Sequence, residues 1–450
     1  MPKTAAAYDY TSKHAWKRPF KNAKKLLWGE GGKTFFGMGA MALTARTLGV
    51  ADFGALAVLM SSVAIINQFI TFEAWQLVLR YGAEALKDAN SKAYVHVVGF
   101  ALGLELLGAC VGAVLLFFLS DFIIQLFNIP TEVAPILPWA GGLLILGALT
   151  GISDGTLRLT DRFHIISAMN VLPKATKFFI VLYLFMTDAG LQGFMYGWFL
   201  NAILSNFLRL SVGVHFLKKD IKKLNRNAQE MVITPWERGR FFSPKQEVWR
   251  FAFGLYTNST LGIGTQQLGG PVLSAVLGTE AAGLYRIAER ISMAVAAPVN
   301  KLLLPATFTD MAWLNAKKDT RQLTHMALRL GAVTGSAAAL AFIILVFLGK
   351  PLIILIAGEA FVPAYGAMLV LVLNIVLHST TFTIMPLVMT SGWVHLVVIG
   401  RTVMVALYLS LMYPLIDFYG VVGAAWATFI SSLIATIIPV YGAFKYLNRG

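Results

Sequence analysis

Within the apolar stretch from Tyr285 to Lys301 stand two arginines, a glutamate and a lysine. At about 100° per residue, Arg286, Arg290 and Lys301 fall within about 60° of arc, so a helix here presents them on one face. Cations in such surroundings offer charge-assisted hydrogen bonds to an anionic group. With a rise of about 1.5 Å per residue, Arg290 lies about 13 Å from a helix start near Ala281, and Lys301 lies toward the other end. Such a row can follow a charged head group along the helix. Lys33, Arg46, Lys174 and Lys177 interrupt other apolar runs in the same way. Each has a plainer alternative. Arg286 can pair with Glu289 three residues on, Lys301 can reach the polar surface along its own stem, Lys174 and Lys177 can pair with Asp154 or Glu105, and Arg46 and Lys33 stand near helix ends.

The elements that carry these residues follow from composition. The chain of 450 residues is 57% hydrophobic and only 13% charged, against about 45–50% and about 25% in soluble domains, and this marks a membrane protein. A helix needs about 20 mostly apolar residues to cross the hydrocarbon core, and twelve segments meet that length. The sequence predicts an all-α polytopic membrane protein with a basic amphipathic N-terminal segment over 1–29, a first lobe of six helices over 30–216, a basic linker over 217–247 and a second lobe over 248–446. No cleavable signal peptide is expected in the basic first thirty residues.

Charge then sets orientation. Most of the 37 basic residues lie in the N-terminal tail and in alternate loops, around Arg80–Lys92, Arg158–Arg162, Arg209–Arg250 and Lys317–Arg329. The opposite loops carry Asp52, Asp121, Glu132, Asp188, Glu280, Glu359 and Asp417. The bias of lysine and arginine toward the cytoplasm predicts that both termini face it. The net charge of +15 is accounted for by topology, so no nucleic-acid partner is expected. The single Cys110 excludes an intramolecular disulfide, and His164, His378 and His395 lack metal-ligand spacing, so neither metal nor cofactor is expected.

The chain also repeats itself. Leu48-Gly49 with Gly54 matches Leu277-Gly278 with Gly283, and Gly190 with Gly193 matches Gly420 with Gly423, each pair about 230 residues apart. Two six-helix lobes related by a pseudo-two-fold axis are the expected result.

The stretches "ALTARTLGVADFGALAV", "LRYGAEA", "LGTEAAGLYRIAERISMAVAAPVNKLLLP" and "YGVVGAAWATFISSLI" resemble polysaccharide transporters, the Wzx-like O-antigen and exopolysaccharide flippases of the multidrug/oligosaccharidyl-lipid/polysaccharide exporter superfamily. The resemblance runs through nearly the whole chain. It implies a non-enzymatic flippase in the bacterial inner membrane that carries a polyprenyl-diphosphate-linked oligosaccharide from the cytoplasmic to the periplasmic leaflet. Alternating access through a cationic cavity between the lobes is the implied mechanism, with the lipid bilayer and a polysaccharide polymerase as candidate partners. Arg290, Arg286, Lys174, Lys177, Arg46, Lys301 and Lys33 are then the candidate phosphate-binding residues. Asn258, Gln266 and Gln267 are candidate sugar contacts, though such side chains more often bond between helices. One departure is visible: similar proteins carry an apolar turn before the arginine of the second helix, where this chain reads "TFEAWQLVLR", which makes Glu73 and Gln76 further candidate sugar contacts, or candidates for a contact particular to this protein. Two other readings remain at this stage, a cation-coupled multidrug antiporter of the same superfamily and a polytopic glycosyltransferase or ligase.

Overall fold

A computed structural model describes residues 17–87, 90–132, 135–227, 246–260, 267–298, 320–390 and 393–447. The expected boundaries and site residues that fall elsewhere, Lys301 and Gln266 among them, lie outside the described residues. Every regular element described is helical: α1 (Lys17–Ile70), α2 (Trp75–Lys87), α3 (Ser91–Leu126), α4 (Ile136–Leu159), α5 (Phe163–Met186), α6 (Gly190–Asn227), α7 (Gln246–Thr260), α8 (Gly269–Leu277), α9 (Thr279–Pro298), α10 (Thr320–Ala357), a 3-10 turn (Glu359–Ala364), α11 (Tyr365–Thr381), α12 (Ile384–Thr390), α13 (Val394–Tyr419) and α14 (Val421–Leu447). Among the described residues nine helices are long and apolar enough to cross a membrane, one of them the bent run Gly31–Leu86. That run carries the first two of the twelve expected spans. The seventh and eighth expected spans include positions 261–266 and 299–306, which are not described.

The repeated glycines take matched backbone conformations. Gly49 bends α1 at φ 72°, and Gly278 separates α8 from α9 at φ 89°. Gly190 and Gly420 stand directly before the bodies of α6 and α14 at φ 59° and 58°. A side chain is strained at these angles, which is why glycine recurs there.

The chain divides into two compact units. One contains the described residues up to Leu43 with Val63–Ile124 and Pro130–Thr260; the other contains Thr44–Ser62, Gln125–Ile129 and the described residues after Leu261. In the first unit, Leu77, Val78, Tyr94, Phe100, Leu104, Ile152, Val248 and Ala252 form a buried core. Its α6 continues to Asn227, beyond the expected end near 216. Arg162 forks both guanidinium N–H groups onto the Asp220 carboxylate and lies over the Phe216 ring. The basic, helix-favouring tail of α6 is thus tied back to the start of α5.

The second unit is built around a backbone crossing. A Cβ on Gly283 would collide with the Val50 carbonyl oxygen and come within 3.2 Å of the Gly54 Cα; one on Gly54 would collide with the Thr279 carbonyl oxygen. The two glycines at matched places in the repeat therefore pack against one another, as small residues do where helices in lipid approach closely. Phe53 beside them meets Phe361 edge-on at 5.7 Å, and Ile287, Ala288 and Ile291 bury the inner face of α9.

Gly283→Ala should lower stability by about 1–3 kcal/mol or more, because backbone atoms must move apart. Gly147→Ala on α4, where a Cβ meets nothing within 4 Å, should leave stability unchanged or raise it by about 0.5–1 kcal/mol. Thermal unfolding of the two purified variants checks this, and equal melting temperatures would contradict the crossing.

Candidate functional site

Two elements of the second unit carry the expected arginines, α9 with Arg286 and Arg290 and the Thr44–Ser62 part of α1 with Arg46. On α9 the buried positions 281–285, 287, 288, 291 and 292 face the core, which leaves Arg286, Glu289, Arg290 and Met293 on the opposite side. Arg286 Nη1 donates to Glu289 Oε2 at 2.6 Å, with 19% and 13% of the two side chains exposed. Arg290, one turn beyond Arg286, is exposed and makes no hydrogen bond or ion pair with any described residue. The i, i+3 pair thus satisfies one arginine, while the donors of the other meet no acceptor among the described residues. Arg46 has a different task. Its guanidinium donates to the carbonyl oxygens of Leu355 at 2.6 Å and of Ile354 and Ile356 at 3.3 Å. Those are terminal carbonyls of α10, which lack partners within the helix, and a cation there also meets the negative end of the helix dipole.

The first unit gathers the lysines. Gly32 on α1 packs toward Val171 on α5, where a Cβ would lie 3.3 Å from the valine. Four residues along, Phe36 meets Phe178 at 5.7 Å between ring centroids. Lys33 therefore occupies the same stretch of the α1–α5 seam as Lys174 and Lys177, all three half-buried. The two carboxylates considered as partners for these lysines are engaged elsewhere. Asp154 lies 3.5 Å from Arg209, and Glu105, 6% exposed, accepts the backbone N–H of Ala74 at 2.8 Å.

That last bond explains the unusual "TFEAW". Helix α1 ends at Ile70, α2 starts at Trp75, and the residues between include Glu73 at φ 54°. The Glu105 carboxylate reaches across from α3 and caps the new helix as a side-chain oxygen at an N-cap does. The close approach needs Gly108, where a Cβ would collide with the Ile70 carbonyl oxygen. Glu73 Oε2 accepts the Trp75 indole N–H, and the Gln76 N–H donates to the Glu73 carbonyl at 3.0 Å. Glu73 thus stands in the turn before α2 and Gln76 in its first turn. Gln267 is half-buried in the turn before α8, and Asn258 stands near the end of α7.

Two further cations emerge that the sequence reading counted only as loop charges. Arg80 on α2 and Arg250 on α7 line a cavity with Glu247, Phe251, Gly254 and Leu255. Their signal in the sequence is the neighbouring aromatic residue, "LRY" and "WRF".

Comparison with known proteins agrees with this architecture. A family described as polysaccharide biosynthesis protein matches residues 43–365. Inner membrane protein YghQ of Escherichia coli strain K12 is 26% identical over 343 residues, 73% of this chain and 90% of the relative. Among solved structures, an inward-facing multidrug resistance MATE family transporter of the MOP superfamily superposes with a TM-score of 0.72 at 12% identity, covering 93% of this chain and 96% of that one. Lipid II flippase MurJ, in an inward closed conformation, superposes with a TM-score of 0.68 at 14% identity, covering 94% and 89%.

The Arg286–Glu289 pair makes a distinct prediction. Arg286→Ala leaves a largely buried carboxylate uncompensated, so the protein should become scarce in the membrane, and adding Glu289→Gln should restore its abundance. Quantitative immunoblotting of membrane fractions checks the pair. Equal abundance of the Arg286→Ala and double variants would show that the ion pair contributes nothing to folding.

Proposed function

Because the chain belongs to the polysaccharide biosynthesis protein family, we propose that it is a flippase in a bacterial plasma membrane, moving a polyprenyl-diphosphate-linked oligosaccharide from the cytoplasmic to the outer leaflet by alternating access, with both termini cytoplasmic. The observation that carries this reading is Arg290. An ionisable side chain within a membrane segment costs about 2.5–3.5 kcal/mol on insertion scales, and one that persists there marks a pathway or a partner. Arg286 has its partner in Glu289, and Arg46 has the carbonyls at the end of α10. Arg290 has none among the described residues, and its planar fork suits the paired oxygens of a diphosphate.

Lys33, Lys174 and Lys177, on facing stretches of α1 and α5, bring further positive charge to the first unit, as point charges rather than bidentate forks. Arg286 adds to the positive field beside Arg290 while Glu289 holds it in place. The sugars need hydroxyl and amide partners, a role that Gln267 and Asn258 can take. The family membership supports a polysaccharide precursor as cargo. The relative from Escherichia coli, an inner membrane protein, supports the location.

A cation-coupled drug antiporter needs intramembrane carboxylates free to exchange a proton or sodium ion for a cationic substrate. Among the described residues the candidates are held: Glu105 by the Ala74 N–H, Glu73 by the Trp75 indole, Asp154 by Arg209 and Glu289 by Arg286. This distribution favours an anionic cargo.

Arg290→Ala should therefore abolish polysaccharide export while membrane abundance stays near normal, and the lipid-linked oligosaccharide should accumulate on the cytoplasmic side. Arg290→Lys should retain part of the activity. Export and abundance measured in the same cells decide the matter: full export by a normally abundant Arg290→Ala protein would remove the basis of the reading.

A further inference from the structure

The cavity lined by Arg80, Glu247, Arg250, Phe251, Gly254 and Leu255 has a volume of about 400 Å³, within the range of small-molecule sites. Its three charged side chains are exposed. Glu247 and Arg250 stand three apart on α7, the spacing at which a helical ion pair forms, yet neither makes an ion pair with any described residue. The Arg80 guanidinium lies over the Phe251 ring, 4.6 Å from its centroid, and 5.4 Å from that of Tyr81. A cation–π contact fixes the plane of the fork without using its N–H donors.

The surroundings point to the depth of the cavity. Trp249 stacks on Phe253 at 5.9 Å and meets Phe100 edge-on at 5.3 Å, so aromatic rings gather where α7 passes from charged to apolar residues. Tryptophan and tyrosine collect at that level of a membrane. Below the charges the wall is apolar, formed by Phe251 and Leu255, and a Cβ on Gly254 would meet nothing within 4 Å. A ligand that suits this site carries an anion at one end and an apolar chain at the other.

We propose that this cavity binds the phosphate of a membrane lipid, with Arg80 and Arg250 on the phosphate oxygens and Glu247 on the ammonium of an ethanolamine head group. The acyl chain lies along Phe251, Gly254 and Leu255. The lining includes none of the residues assigned to the cargo above, and the site does not depend on that cargo. A polyprenyl diphosphate shares the phosphate chemistry but offers nothing to Glu247.

The test uses the full-length protein in nanodiscs of phosphatidylethanolamine and phosphatidylglycerol in equal amounts, with retained lipid read by native mass spectrometry. Wild type should hold phosphatidylethanolamine preferentially. Arg80→Ala with Arg250→Ala should reduce retention by about tenfold or more, the loss expected for each charged hydrogen bond removed. Should that protein be scarce, Arg80→Lys with Arg250→Lys keeps the charge and should still weaken retention, because the bidentate contact is gone. Glu247→Gln should shift the preference toward phosphatidylglycerol without loss of total lipid. Unchanged retention in both arginine variants would overturn the proposal. So would displacement of the phospholipid by polyprenyl diphosphate at equal concentration, since the cavity would then belong to the transported lipid.

Discussion

Inside a bilayer no water is available to complete a hydrogen bond, so each polar group must be satisfied by the protein itself. The breaks in the helices of this chain show how that is done. Where α1 gives way to α2, a carboxylate from α3 takes up the loose Ala74 N–H. At the end of α10, Arg46 reaches three carbonyls of the last turn, of which that of Ile354 also accepts the Gly358 N–H. The Arg286–Glu289 and Arg209–Asp154 pairs obey the same rule for side chains. Against this background Arg290 stands out, since a charge that meets no hydrogen-bond or ion-pair partner among the described residues invites a ligand to complete it.

At the centre of the second unit backbone meets backbone. Gly54 and Gly283 approach so closely that neither position has room for a Cβ, and α9, which carries Arg286 and Arg290, is one side of that contact. The cations are thereby held on a helix whose position is set by main-chain packing. Directly before each glycine's helix stands another, Gly49 or Gly278, in a left-handed conformation. One glycine motif, used twice, thus turns the chain and brings its two copies together.

Much of this was legible in the sequence. Apolar runs separated by charged loops reveal spans because hydrocarbon imposes a minimum length, and the paired glycines were visible because a left-handed turn or a backbone contact tolerates little else. That Arg286 and Arg290 share one side of α9 was visible from helical periodicity, as was the Arg286–Glu289 pairing, while Lys301, the third cation of the expected row, lies outside the described residues. What periodicity does not carry is a partner distant in sequence. Glu105 lies 31 positions from the residue it caps, and Leu355 lies 309 from Arg46. Arg46 therefore read as a phosphate candidate, and Glu73 as a sugar contact, because nothing local signals the helix end or the indole that each serves. Arg80 and Arg250 were hidden for the same reason, counted as topology signals until two helices brought them to one cavity.

The account rests on anionic cargo, and reconstitution tests that directly. Purified protein is placed in liposomes with a polyprenyl-diphosphate-oligosaccharide bearing a fluorophore on its sugar end, and a membrane-impermeant reductant is added outside. With an anionic cargo, the fraction protected in the inner leaflet disappears when the protein is present and persists without it. A protected fraction that is the same with and without protein, alongside protein-dependent uptake of a cationic drug, would contradict it.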